Sequence, residues 1–194
     1  MDPQDDLFER ARSRPVPLAR DDVRLVPMAD KDRFLVRRWL GLPHVAAWFG
    51  SRAAAEAALA IANDMATAVR RLVVVDGIPV GYLHALDADQ RFAVALQRPR
   101  HDAIPTGAWL VEVFIADTGM RGRGAGARAL ELIREEIFAT TLAPALVLVA
   151  GVRHERQVRA IERAGFHWTA VIADDSLGAA WLLVAERPAT AAST

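Results

Sequence analysis

The 194-residue chain has no cysteine, one lysine, Lys31, and one tyrosine, Tyr82. Without a thiol there are no disulfides, no thiolate metal sites and no cysteine nucleophile, so any group transfer must run directly between substrates or use another nucleophile. A single lysine far from any glycine loop removes the Gly-Lys-Ser/Thr ending of a nucleotide-triphosphatase P-loop. No histidines stand at a helical metal spacing and there is no Gly-x-Ser-x-Gly elbow, so no metal is expected. No apolar run approaches the roughly 20 residues that span a bilayer, and Asp2, Asp5 and Asp6 stand where a signal peptide would be apolar. A cytoplasmic location is the expectation. Charge of one sign is missing too: 24 basic and 24 acidic residues give a formal net charge of zero. Without an excess, the footprint of a nucleic-acid or anionic-membrane partner is absent, and neither is expected.

What is present suits one well-cored domain, with 53% hydrophobic and 25% charged residues. Residues 1–22, charged and broken by Pro3, Pro15 and Pro17, read as a flexible N-terminal arm. Residues 23–187 read as a single domain, and 188–194 as a disordered tail. The pattern predicts a short strand at 23–28 and a helix capped by Asp30, carrying Phe34, Leu35, Trp39 and Leu40 and stopped by Gly41 and Pro43. A second short helix follows at 44–49, then an alanine-rich helix from Ser51 to about Val69. Asp76-Gly77-Ile78-Pro79 marks a hairpin between strands at 72–75 and 80–86. Residues 87–107 lack periodicity and suit a loop that carries specificity. Strand 109–115, helix 127–139 and strand 145–150 imply a parallel β-α-β crossover. Helix 154–164, stopped by Gly165, and a terminal antiparallel pair at 166–173 and 180–186 complete the order; that pair could support a homodimer.

The segment Arg121-Gly122-Arg123-Gly124-Ala125-Gly126 joins the strand at 109–115 to the next helix. Each glycine removes a Cβ that would hinder close backbone approach, and the first N–H groups of a helix have no internal acceptor. The helix dipole favours an anion there by about 0.3–1 kcal/mol, and Arg121 and Arg123 can add charge-assisted hydrogen bonds. A pyrophosphate is the ligand such a turn suits. Gly122, Gly124 and Ala127 satisfy the dinucleotide pattern G-x-G-x-x-G/A, but the next strand ends in Ala-Gly without a ribose-binding acid. A purely structural glycine turn is the other reading.

Three local matches resemble the GNAT superfamily of N-acetyltransferases over roughly 23–186. The glycine loop resembles its acetyl-CoA motif, Arg-x-x-Gly-x-Gly/Ala. Arg159-Ala-Ile-Glu-Arg-Ala-Gly-Phe166 is similar to its helix-to-strand segment ending in Gly-Phe. Trp39-Leu-Gly-Leu-Pro-His-Val-Ala-Ala-Trp-Phe-Gly50 is similar to the Trp-Leu-x-x-Pro-His-Val/Ile-x-x-Trp-Trp segment of one branch, which contains aminoglycoside 6'-N-acetyltransferases and siderophore-biosynthesis acetyltransferases. The resemblance implies a mixed, mostly antiparallel α/β sheet with a central parallel β-α-β unit and flanking helices. It also implies acetyl-CoA as co-substrate and a small-molecule amine as acceptor. Glu112-Val-Phe-Ile-Ala-Asp117 aligns with the branch pattern Asp-x-Phe-Ile-Gly-Asp and so implies an acid at Glu112. Family structure implies a bulge in this strand that splays it from 145–150, with the backbone of Val113, Phe114, Ile115 and Ala116 holding pantetheine.

An amine of pKa about 10.4 is neutral only about once in 2,500 molecules at pH 7, a deficit of about 4.6 kcal/mol. A positioned base contributes roughly 10²- to 10⁴-fold, and Glu112 is the candidate. Asp117 suits a turn cap. His44, Trp48 and Phe49 are candidates for the acceptor pocket, with core packing and helix capping as the alternative, and His84 for a residue facing the acceptor. At the family's frequent Asn position stands His154, carried over as a cofactor contact. At its frequent Tyr position stands Ile161, which cannot protonate a thiolate. Tyr82 is the candidate donor in its place, and departure as free thiolate is also open because a thiol of pKa about 8.5 leaves readily. Direct acetyl transfer to a primary amine is the leading expectation, with an aminoglycoside-like acceptor ahead of a hydroxylated-lysine siderophore-type one. A noncatalytic acyl-CoA-binding module is the alternative.

Overall fold

The computed structural model describes residues 16–64, 66–89, 102–152, 155–174 and 177–189. Seven strands form one sheet in the order β1-β2-β3-β4-β5-β7-β6: β1 Val23–Pro27, β2 Val69–Val75, β3 Ile78–Asp87, β4 Trp109–Ile115, β5 Ala145–Gly151, β6 His167–Asp174 and β7 Gly178–Glu186. All neighbours are antiparallel except β4 and β5. Helices α1 Arg33–Leu40, α2 Pro43–Ala46 and α3 Arg52–Asp64 precede β2, α4 Ala125–Thr140 links β4 to β5, and α5 Glu155–Arg163 links β5 to β6. This is the mixed, mostly antiparallel α/β architecture with one parallel pair that the sequence implied.

The β2–β3 hairpin turns on Asp76 (φ 50°) and Gly77 (φ 80°). Two consecutive positive φ angles are the signature of the tight turn whose twist matches the strands it joins. Further along β3, a Cβ on Gly81 would collide with the carbonyl oxygen of Phe114, so glycine is what lets β3 and β4 approach there.

Alternation along β4 sorts its side chains between two layers. Val111 and Val113 pack with Leu130, Ile133 and Ile137 of α4 and Ile161 of α5. Burying each of those three α4 side chains contributes about 1.5–3 kcal/mol, which fixes the helix whose N-terminus begins at the glycine loop. On the other face Phe114 joins Tyr82, Leu72 and the apolar residues Val36, Leu40, Val45 and Leu59 of α1–α3. Glu112 lies on that second face. Strand β5, buried at every position but Val149, is covered on both sides as its unbroken apolar run predicts.

Two boundaries differ from the sequence pattern. Helix α3 stops at Asp64, short of the expected end near Val69, and β2 begins at Val69 rather than at Leu72. Helix propensity among alanines is worth only tenths of a kcal/mol per residue, and the register Val69↔Ala85 to Leu72↔Tyr82 outweighs it. Asp30–Asp32 form a 3₁₀ turn ahead of α1, with the Asp32 carboxylate accepting the Ala29 N–H at 2.9 Å. Ser51, where this helix was expected to begin, caps α3 by accepting the Ala54 N–H at 3.1 Å. Of the expected N-terminal arm, 16–22 are described: Leu18 donates its N–H to the Arg123 carbonyl (2.9 Å), and Arg20 reaches Glu131 of α4 at 2.5 Å. Among the described residues no helix is long and apolar enough to cross a membrane.

Candidate functional site

Strands β4 and β5 pair only at Trp109↔Leu146 and Leu110↔Val147, then diverge. The β3–β4 register runs unbroken from Gly81↔Ile115 to Asp87↔Trp109. Just past it the Val80 carbonyl accepts both the Ala116 N–H at 2.8 Å and the Asp117 N–H at 3.1 Å, the two-against-one pairing of a bulge, at the end of the strand where the family resemblance implied one. A strand turns half of its peptide groups to each neighbour, so beyond Leu110 the groups of β4 that face β5 lack a ladder partner. An acyl-amide chain laid in the fork can complete that ladder.

A cavity of about 500 Å³ lies against the part of β4 that has parted from β5, where Val113, Phe114 and Ile115 line it. Gln157, Ala160, Ile161 and Arg163 of α5 line it as well. So do Arg121, Gly122, Gly124, Ala125 and Gly126 of the glycine loop and His44, Val45 and Trp48. Asp117 caps the turn before the loop, its Oδ1 accepting the Gly119 N–H at 2.8 Å, as the sequence suggested. Gly124, the N-cap of α4, has φ 99°, with nothing within 4 Å of a Cβ built there. Backbone conformation, not space, therefore requires glycine. The first helical bond runs from Arg128 N–H to Gly124 C=O at 3.0 Å, leaving the N–H groups of 125–127 outside the helical ladder at the cavity's edge.

The two loop arginines do different things. Arg121 is exposed at the cavity. Arg123 turns away, donating from Nε to the Val16 carbonyl at 2.8 Å and from its terminal nitrogen to the Met120 sulfur at 3.4 Å. Ala116 is engaged on both sides: its N–H donates to Val80 C=O (2.8 Å) and its carbonyl meets His44 Nε2 (3.1 Å). Phe49 is partly buried and packs edge-on against Phe114 with centroids 6.1 Å apart; it does not line the cavity that Trp48 lines. His154 lies outside the described residues.

Behind β4 the registers Arg70↔His84 and His84↔Glu112 set three polar side chains in one row across three strands. His84 is 1% exposed, and its Nε2 lies 2.7 Å from Glu112 Oε2, an ion-pair separation without the alignment of a directed hydrogen bond. The Glu112 side chain keeps 18% exposure. Arg70 donates to Asn63 Oδ1 of α3 at 3.2 Å. Tyr82 lies one step along the same face, its ring 5.6 Å from that of His84. Burial pushes its phenol well above the ordinary value of 10; the Arg70 charge opposes this and the Glu112 charge adds to it. Its hydroxyl has no hydrogen-bond partner among the described residues.

The structure thus gathers Val113, Phe114, Ile115, Arg121, Gly122, Gly124, Ala125, Gly126, His44 and Trp48 around one cavity. It places Glu112, His84 and Tyr82 together on the other side of the same strand. Sequence reasoning missed Gln157 and Arg163. The signal for Gln157 was available, since it precedes Ile161 by four residues and so shares its helix face. Among the described residues no cluster of three potential metal ligands occurs.

A family model for the GNAT acetyltransferase domain matches residues 28–173. Among solved structures, the aminoglycoside acetyltransferase AAC(6')-Ib in complex with paromomycin and acetyl-CoA superposes with a TM-score of 0.68 at 20% identity, covering 86% of this chain and 94% of that one. Its complex with ribostamycin and coenzyme A gives the same values. Aminoglycoside N(6')-acetyltransferase from Legionella pneumophila gives 0.62 at 16% identity, over 85% and 92% of the two chains. No protein of curated function matches the sequence.

Proposed function

The chain belongs to the GNAT acetyltransferase family, and we propose that it transfers acetyl from acetyl-CoA directly to a primary amine of a small molecule. One observation carries this reading: the glycine loop and Val113, Phe114 and Ile115 of β4, past the point where that strand leaves β5, line one cavity, and the same strand bears Glu112 on its other face. A pyrophosphate at the 125–127 N–H groups and Arg121 puts the pantetheine arm along β4, with its thioester at the fork.

In this reading the neutral amine attacks the thioester carbonyl carbon, the C–N bond forms and the C–S bond breaks. The proton leaves nitrogen for the Glu112 carboxylate, directly or through a water. His84 acts as a positioning residue, holding that carboxylate through their 2.7 Å contact. Inward-facing N–H groups of β4 polarise the carbonyl. The CoA thiolate takes its proton from water, because Ile161 offers none and buried Tyr82 is a weaker acid than an ordinary tyrosine. Acetyl-CoA is made and consumed inside cells, which supports a cytoplasmic reaction.

For the acceptor we propose an aminoglycoside-like amine, supported by the likeness to structures that hold such ligands. The test is a panel of amines, aminoglycosides and hydroxylated lysines included, incubated with acetyl-CoA and followed by CoA release and product mass. Acetylation of an aminoglycoside amine is the expected result. Acetyl-CoA binding with no amine acetylated would instead support the noncatalytic module, the reading that the apolar Ile161 at the cavity wall favours.

A further inference from the structure

We propose that residues 16–18 form a positioning strap, which holds the glycine loop from outside the cavity in the shape that receives the cofactor. The inference rests on the acyl-CoA reading above. Within the loop Gly122 and Gly124 line the cavity, and Arg123 between them does not. Both glycines have positive φ, 75° and 99°, a region that a free glycine visits about as readily as negative φ. Their own conformational preference therefore does not select the shape seen here. Something else must hold Arg123 between two such joints.

The strap does so twice over. Leu18 donates its N–H to the Arg123 carbonyl at 2.9 Å, and Arg123 donates Nε to the Val16 carbonyl at 2.8 Å, so main chain and side chain are both fixed. The two contacts lie on either side of Pro17, whose ring restricts its own φ and stiffens the segment. A second tie follows in the first turns of α4. Arg128 donates Nε to the Arg20 carbonyl at 3.4 Å and a terminal nitrogen to Glu131 at 2.9 Å, and Arg20 reaches the same carboxylate at 2.5 Å. The ties at 123 and 128 bracket the N–H groups of 125–127. None of Val16, Leu18 and Arg20 lines the cavity, so they act through the loop and not on the ligand. A chain whose loop is ordered only part of the time binds with its affinity reduced by that fraction. Linkage makes the effect reciprocal: a ligand that binds the ordered loop also closes the strap.

Titration calorimetry of the full chain with CoA and acetyl-CoA, beside hydrogen exchange of the Leu18 amide, tests this. Leu18→Pro removes the N–H given to Arg123 and should weaken both ligands about three- to tenfold, the loss of about one hydrogen bond. Leu18→Ala keeps that N–H and removes only packing against the core, so it should lower the melting temperature while weakening both ligands far less. In the wild-type chain, saturation with CoA should slow exchange of the Leu18 amide by a factor similar to the loss in Leu18→Pro. This last measurement decides the question if the proline variant fails to fold. Undiminished affinity in a folded Leu18→Pro, equal losses in the two variants, or a Leu18 amide indifferent to CoA overturns the inference alone. A wild-type chain that binds neither CoA nor acetyl-CoA overturns the acyl-CoA reading together with it.

Discussion

At one end of the cleft the loop 121–126 presents backbone N–H groups and one exposed arginine. On the other face of the same strand, Arg70, His84 and Glu112 form a row of side chains drawn from three strands. The first region is assembled from consecutive residues and depends on φ angles that glycine alone tolerates well. The second is assembled from residues 14 and 28 positions apart in the sequence, and depends on strand register. A phosphate grip can therefore be written locally, whereas a carboxylate held by a buried histidine exists only after the sheet forms.

Substitutions can pull the two regions apart. Glu112→Gln should lower the rate of acetyl transfer by about 10²- to 10⁴-fold while leaving CoA affinity intact, measured by steady-state kinetics beside calorimetry. Undiminished turnover would remove Glu112 as the base. Gly124→Ala should act on the other region, forcing a Cβ into φ 99° at a strain of about 1–3 kcal/mol. It should lower the melting temperature and weaken CoA. Arg121→Ala should weaken CoA about tenfold, less so in high salt, while Arg123→Ala should weaken it less because that guanidinium serves Val16 and Met120. Equal losses at the two arginines would contradict the division of labour seen between them.

The smallest effect is expected at Tyr82. Its raised pKa means that the folded chain keeps the phenolic proton above pH 10 while the unfolded chain releases it. Its contribution to stability is complete below the ordinary tyrosine pKa of about 10 and declines as pH rises from there toward the folded value. Denaturant midpoints compared across that range should fall more steeply for wild type than for Tyr82→Phe. Near neutrality the variant should be close to wild type, because the hydroxyl it removes has no partner among the described residues.

Much of the fold was legible because its signals are local. Asp76-Gly77 fixed the hairpin, the run from Trp109 to Ile115 is the strand the pattern predicts, and the glycine loop stands ahead of its helix. The end of α3 and the start of β2 were not legible, since the alanine-rich pattern runs on past Asp64 and Val69 joins a strand only when β3 offers it a ladder. The site divides in the same way. Glycine-loop residues could be named from sequence, but the turning of Arg123 toward Val16 and the packing of Phe49 on Phe114 depend on partners distant in the chain.

What the sequence by itself determined is a glycine-rich turn between a strand and a helix start, suited to an anion, an acid nine residues before Arg121, and a chain with no thiol and a single tyrosine. These follow from backbone sterics and residue chemistry, which need no distant partner. Tertiary structure alone decided that the β4–β5 pairing ends at Leu110, that Glu112 faces His84, and that Gln157 lines the cavity with Ile161. Each depends on contacts between residues far apart in the chain, which exist only once the core has packed.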